Sequence, residues 1–243
     1  MPVIRAILFD KDGTLFDFQA SWGAWARDQL GRLADGDLAL STRLADAIGY
    51  RFDPPDADGV RGAGSFDPRS PVIAGTVDEV AALLLPHLTQ WRRPDLIADM
   101  NLRAAEAPLV PAVPLRPLLE GLCGRGLALG VATNDAEASA RAHLRKAGVE
   151  DLFSYVAGYD SGFGAKPAAG QLLAFANAVG AAPGAIAMVG DSLHDLHAGR
   201  AAGMRTVGVL SGPARHDDLA PEADIVLPDI GGLPGWLDRL AAG

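Results

Sequence analysis

The chain has 243 residues, enough for one sizeable core and a smaller inserted or appended domain. A net charge of −9 weighs against a nucleic-acid backbone as partner, and no apolar run approaches the roughly 20 residues a membrane span needs. One cysteine, Cys123, excludes an internal disulfide, a thiolate metal cluster and a Cys redox pair.

The positive residues are 18 Arg and three Lys, at 11, 146 and 166, so a lysine inside a motif carries weight. The first segment, MPVIRAILFD, reads as a strand running straight into a polar turn rather than as a signal peptide, and the cytoplasm is the expected location. Ile4 to Phe9 is the apolar run of a strand buried in a parallel sheet. It breaks at Asp10-Lys11-Asp12-Gly13-Thr14, where residues two apart on an extended chain point the same way and Gly13 permits a turn. Two carboxylates placed so closely repel unless a cation or a shared proton relieves them, although Asp and Gly are also ordinary turn residues.

Amphipathic spacing predicts helices over Ser21 to Leu33 and Asp37 to Ile48. A long Pro- and Gly-rich break follows, Gly49 to Gly75, of a length associated with binding loops and lids. Thr76 with Glu79 reads as a capping box opening a helix through Leu85, Pro94 sits in the first turn of a helix to Ala107, and Pro108 to Pro117 reads as a linker. Beyond it strands and helices alternate. Strands are predicted at Leu127 to Ala132, Tyr155 to Gly158, Ala185 to Val189, Thr206 to Leu210 and Ile225 to Leu227. Helices are predicted at Ala136 to Ala147, Ala169 to Val179, Leu193 to Ala202 and Ile230 to Leu240.

That alternation calls for an α/β fold with a doubly wound parallel sheet. The first strand belongs to the sheet, which makes residues 1–16 and 111–243 a Rossmann-like core and 17–110 an inserted all-helical domain. Three strands end in polar clusters, at Asp10-x-Asp12, Thr133-Asn134 and Gly190-Asp191. Ligands of open α/β sheets bind beyond the carboxyl ends of the strands, so these clusters are expected to share one crevice with Lys166. Carboxylates, a hydroxyl, amides and one ammonium suit a divalent cation with hard oxygen ligands and a phosphate held between it and the lysine.

In the order Asp10-Lys11-Asp12-Gly13-Thr14, Thr133, Lys166 and Gly190-Asp191-Ser192-Leu193-His194-Asp195, the chain resembles the haloacid dehalogenase superfamily. The helical insertion after the first motif is similar to the cap of its phosphoglycolate phosphatase and β-phosphoglucomutase branch. The resemblance implies that Asp10 is a nucleophile taking the phosphoryl group, and that Asp12 protonates the leaving alcohol and then deprotonates water. It implies that Thr133 and the Asn134 amide hold phosphoryl oxygens and that Lys166 offsets their charge. Mg2+ would be held by Asp10, the Asp12 carbonyl and Asp191, with Asp195 in support, orienting the metal's waters or Lys166. Each residue also has a plainer reading: Thr133 as an ordinary strand end, Asp195 as a solvent-facing helix residue and Lys166 as a loop lysine. His194 and His197 read as surface residues.

The implied activity is hydrolysis of a small phosphorylated metabolite, 2-phosphoglycolate first among them, by a monomer or homodimer that binds neither nucleic acid nor membrane. A sugar-phosphate mutase and a non-catalytic binder of phosphorylated ligands are the alternatives. Asp12 argues against dehalogenation, which needs no proton donor for a leaving alcohol. The absence of lysine between Asp12 and Ala132 argues against a cap Schiff base. Phe16, Trp22 and Trp25 are candidates to line the crevice or the helix core, and Arg61, Arg69, Arg92 and Arg93 to contact a second anionic group. Asp53 to Pro71 is expected to act as a lid.

Overall fold

The computed structural model describes residues 3–54, 62, 64–67 and 69–242. Its strands are β1 Ala6–Phe9, β2 Tyr50–Arg51, β3 Ser65–Phe66, β4 Ala128–Ala132, β5 Tyr155–Ala157, β6 Ile186–Gly190, β7 Arg205–Val209 and β8 Ile225–Leu227. The α-helices are α1 Phe18–Leu33, α2 Leu38–Ala47, α3 Val77–Leu84, α4 Arg93–Ala104, α5 Leu115–Gly124, α6 Glu137–Lys146, α7 Gly170–Val179, α8 Leu193–Ala202, α9 His216–Leu219 and α10 Leu233–Ala242. The chain divides into two compact units, Met1–Asp17 with Pro111–Gly243, and Phe18–Val110.

The first unit is built on a six-stranded sheet in the order β5-β4-β1-β6-β7-β8, every pairing parallel. Each residue of β1 is buried, as a strand covered on both faces requires. Ala6 and Leu8 share one face with Ile186 and Met188, and Leu172 and Phe175 of α7 pack over them. The sheet register sets the site. Phe9 lies opposite Val131 on one side and Val189 on the other, so Asp10, Thr133 and Asp191 all leave the sheet at its carboxyl edge. The order of strands reverses at β1, the place where such sheets leave a crevice.

The linker expected over Pro108 to Pro117 is already helical from Leu115, where α5 begins. Pro117 is its third residue, where the N–H it lacks would have no partner inside the helix, and Leu115, Leu119 and Leu122 bury one face.

In the second unit, Asp37 caps α2 by accepting from the N–H groups of Ala39 and Leu40, and the Thr76–Glu79 capping box is formed. Among its described residues the regular structure is helical apart from one short antiparallel ladder, Tyr50 opposite Phe66 and Arg51 opposite Ser65, inside the long break. The ladder is held by its aromatic rings. Phe66 lies 5.2 Å from Tyr50 and 5.5 Å from Phe18, edge to face, contacts worth about 0.5–1.5 kcal/mol each beyond the area they bury. Among the described residues no helix is long and apolar enough to cross a membrane.

Candidate active site

Beyond Phe9 the chain turns tightly, with Leu15 and Phe16 N–H groups donating to the Lys11 carbonyl and Gly13 at φ +81°. Glycine is required at that position twice over. The φ is unfavourable for an L side chain, and a Cβ there would overlap the Asp191 carboxylate. Thr14 Oγ1 donates to Asp191 Oδ1 at 3.3 Å, and Ser211 Oγ donates to the Gly13 carbonyl at 2.7 Å, so the loop after β7 braces the turn.

Lys166 is 4% exposed and its Nζ lies 2.5 Å from Asp10 Oδ1 and 2.6 Å from Asp195 Oδ1. The second oxygen of Asp195 accepts from Ser192 N at 3.1 Å and Ser192 Oγ at 2.7 Å, so this helix-start carboxylate turns inward to the lysine rather than to solvent. Asn134 fixes the lysine's backbone from the other side: its Nδ2 donates to the Lys166 carbonyl at 2.9 Å and its Oδ1 accepts from the Lys166 N–H at 2.8 Å. The hydroxyl of Thr133, buried at the end of β4, accepts from Asp135 N at 3.1 Å, which leaves its own proton for donation. Gln171 Nε2 lies within hydrogen-bond distance of the carbonyls of Thr133, Gly158 and Gly164, tying three loops together.

One oxygen from each of Asp10, Asp191 and Asp195 lies within 4.8 Å of the others. Burial is the main force on Asp10. Opposed by Lys166 and assisted by Asp195 and Asp12, it pushes the carboxyl from 3.8 up to about 7. Burial, with Asp10 and Asp195 adding to it, likewise holds Asp191 well above the usual carboxylate range. Burial works against the charge on Lys166, but Asp10 and Asp195 outweigh it and keep the ammonium above its ordinary value. Asp191 Oδ2 is buried without a hydrogen-bond partner. Three crowded carboxylates and an orphaned oxygen fit a hard divalent cation. Asp195 already spends both oxygens, so Asp10 and Asp191 are the side chains best placed to hold one.

The Asp12 carboxylate is not part of that group. Its Oδ2 accepts from Lys11 Nζ at 2.5 Å. Lys11 is fully buried, with Asp135 Oδ2 at 3.3 Å and His143 Nδ1 at 3.1 Å. Asp135, His143 and Gln171 were not among the expected site residues. The scarcity of lysine was the one signal in the sequence that pointed toward this second cluster.

The described substrate-contact candidates each have a place within their own unit. Phe16 is fully buried, Trp22 is buried and Trp25 half-buried in the core of the second unit. Arg92 pairs with Asp95 and Arg93 with Asp78 on the surface, and Arg69 is exposed. Arg61, and 55–61, 63 and 68 of the expected lid, lie outside the described residues. His194 is half-buried and His197 exposed on α8.

The family model of haloacid dehalogenase-like hydrolases matches residues 4–203. A phosphoglycolate phosphatase of Rhodospirillum rubrum is 31% identical over 248 aligned positions, covering 98% of this chain and 95% of that protein. A tyrosine-protein kinase, PtkA of Mycobacterium bovis, is 39% identical over 218 positions, 88% of this chain and 64% of that protein's length. Among solved structures, CbbY of Rhodobacter sphaeroides in complex with phosphate superposes with a TM-score of 0.65 at 22% identity, covering 95% of this chain and 96% of that one.

Proposed function

The chain belongs to the haloacid dehalogenase-like hydrolase family, and from that premise we propose that it is a Mg2+-dependent phosphatase of small phosphate monoesters. The observation carrying this reading is the buried group of Asp10, Asp191 and Asp195 around Lys166, with one Asp191 oxygen unsatisfied. Asp10 and Asp191 would hold the ion, which supplies positive charge against the phosphoryl oxygens and brings down the raised carboxylates.

Asp10 attacks phosphorus, the ester P–O bond breaks, and Asp12 gives its proton to the departing alcohol oxygen. Water then attacks the aspartyl phosphate, Asp12 takes its proton, and inorganic phosphate leaves with Asp10 restored. Lys166 and the Thr133 hydroxyl offset charge on the transferring oxygens. Asp195, Asn134 and Gln171 hold Lys166 and its loop so that little reorganisation is needed.

The identity to the Rhodospirillum enzyme makes 2-phosphoglycolate the first substrate to try. A soluble cytoplasmic protein, monomer or homodimer, acting on a free metabolite rather than on nucleic acid or membrane, completes this reading. The test is phosphate release from a panel of metabolite phosphates with Mg2+, with Asp10→Asn as control. Absence of Mg2+-dependent release from every member would sink it.

A second reading rests on the 39% identity to PtkA: the phosphoryl group passes to a tyrosine hydroxyl instead of water. Labelled phosphate appearing on an added tyrosine-containing peptide rather than in solution would favour that acceptor. Isomerised sugar phosphate would favour a mutase, and tight binding of phosphorylated ligands without turnover a binder.

A further inference from the structure

Of the second buried cluster, only Asp12 has a part in the chemistry just described. Lys11 sits between the two aspartates of the turn in sequence, yet its ammonium faces Asp12, Asp135 and His143. A charged ammonium has three N–H donors and no acceptor, so His143 Nδ1 must accept, which places the imidazole proton on Nε2. Asp135 is itself anchored, its Oδ1 accepting from Ala136 N at 2.7 Å at the start of α6, and His143 lies two turns along the same helix. Asp135, just before α6, and His143, on it, thus face Lys11 from one side, and its hydrogen bond to a carboxylate goes to Asp12 Oδ2.

We propose that Lys11 is a positioning residue for the acid and base steps: held by Asp135 and His143, it fixes Asp12 through Oδ2 and thereby makes Oδ1 the oxygen that carries the proton. The physical reason is a property of carboxyl groups. Oδ2 can accept from Lys11 both as a carboxylate oxygen and as the carbonyl oxygen of the acid, so the contact survives both halves of the cycle and the proton is confined to the other oxygen. A carboxyl free to rotate would present either oxygen, and proton transfer falls off steeply with misplacement.

This inference rests on the reading of Asp12 as the acid and base, and the experiment separates the two. kcat/KM is measured with Mg2+ for an alkyl phosphate, whose leaving alcohol needs the proton, and for 4-nitrophenyl phosphate, whose leaving group does not. Lys11→Met should lower the alkyl value about 100-fold and the aryl value less than about 10-fold, because general-acid help of about 100-fold or more serves only the poor leaving group. Equal losses on both substrates would mean a merely structural role and overturn the proposal.

His143→Leu, which removes the acceptor, should move the ratio of the two values the same way by several-fold. His143→Asn, whose Oδ1 can stand where Nδ1 stands, should restore it. If Lys11→Met does not fold, this pair decides the matter, and an unchanged ratio in His143→Leu overturns the proposal. Wild-type protein inactive on both substrates would overturn the phosphatase reading and the inference with it, whereas active wild type with equal losses overturns the inference alone.

Discussion

Lys166 and Lys11 are both buried and both paired with two carboxylates, but their surroundings differ in charge balance. Around Lys166, Asp10, Asp191 and Asp195 bring three negative charges to one ammonium and leave Asp191 Oδ2 without a hydrogen. Around Lys11, two carboxylates and an imidazole face one ammonium, and one carboxylate oxygen, Asp135 Oδ2, stands 3.3 Å from it without a hydrogen bond. The first group sets three carboxylates against its ammonium and the second two. Binding sites keep such a deficit of positive charge, whereas a group that only fixes geometry can lie nearer to balance.

The sharpest break in this comparison is Asp10→Asn. Loss of the nucleophile should lower phosphate release with Mg2+ at least about 10⁴-fold, since no neighbouring group can form the covalent intermediate. In urea unfolding without metal, the same variant should be no less stable than wild type, because it removes one of three crowded charges. A large stability loss would mean that the cluster is closed without an ion.

Lys11→Met should behave in the opposite way. It leaves Asp135 and Asp12 facing one another without a cation, and breaking a buried pair from one side costs about 3–5 kcal/mol. Urea titration reads this directly, and the cost should be the same with and without Mg2+. Asp195→Asn is expected between the two extremes, with kcat lowered about 100-fold as Lys166 loses one of the two anions that aim it.

The pH dependence tests the Lys166 cluster. Asp10 titrates near 7 in the fold against 3.8 when unfolded, so between those values the folded chain holds more protons. Without metal, its contribution to stability therefore falls as pH rises from about 4 to 7. An ion bound by Asp10 and Asp191 displaces those protons, so Mg2+ should raise the melting temperature more at pH 8 than at pH 5. Equal shifts at both pH values would contradict the assignment of Asp10 as a ligand.

Much of the Lys166 group is legible in the sequence. Asp10, Thr133 and Asp191 each follow an apolar run that can only be a buried strand, and parallel register does the rest by bringing strand ends to one edge. The Lys11 group was hidden because its partners lie on α6, and His143 is 132 residues away from the lysine it touches. No local pattern links them. Helix α5 was obscured by its own proline, which marks a linker in composition and a first turn in structure. The ladder of Tyr50 and Phe66 is two residues a side, too short for a period of two to show.

The smallest expected effect concerns Asn134, which touches the lysine's backbone rather than its charge. Its amide pairs with both the N–H and the carbonyl of Lys166, as a neighbouring strand would. Asn134→Ala removes that pairing while Asp10 and Asp195 still hold Nζ, so the ammonium stays in place on average but its loop loosens. Two neutral hydrogen bonds are worth about 0.5–1.5 kcal/mol each, and a share of that should appear as roughly a 10-fold lower kcat. KM for a small phosphate ester should move less than kcat, because the loop matters most when charge builds on the transferring oxygens. Asn134→Asp, which keeps the acceptor for the Lys166 N–H but meets the carbonyl with an oxygen, should recover little of the loss. If it recovered all of it, the carbonyl contact would be idle and Lys166 would be aimed by its carboxylates alone.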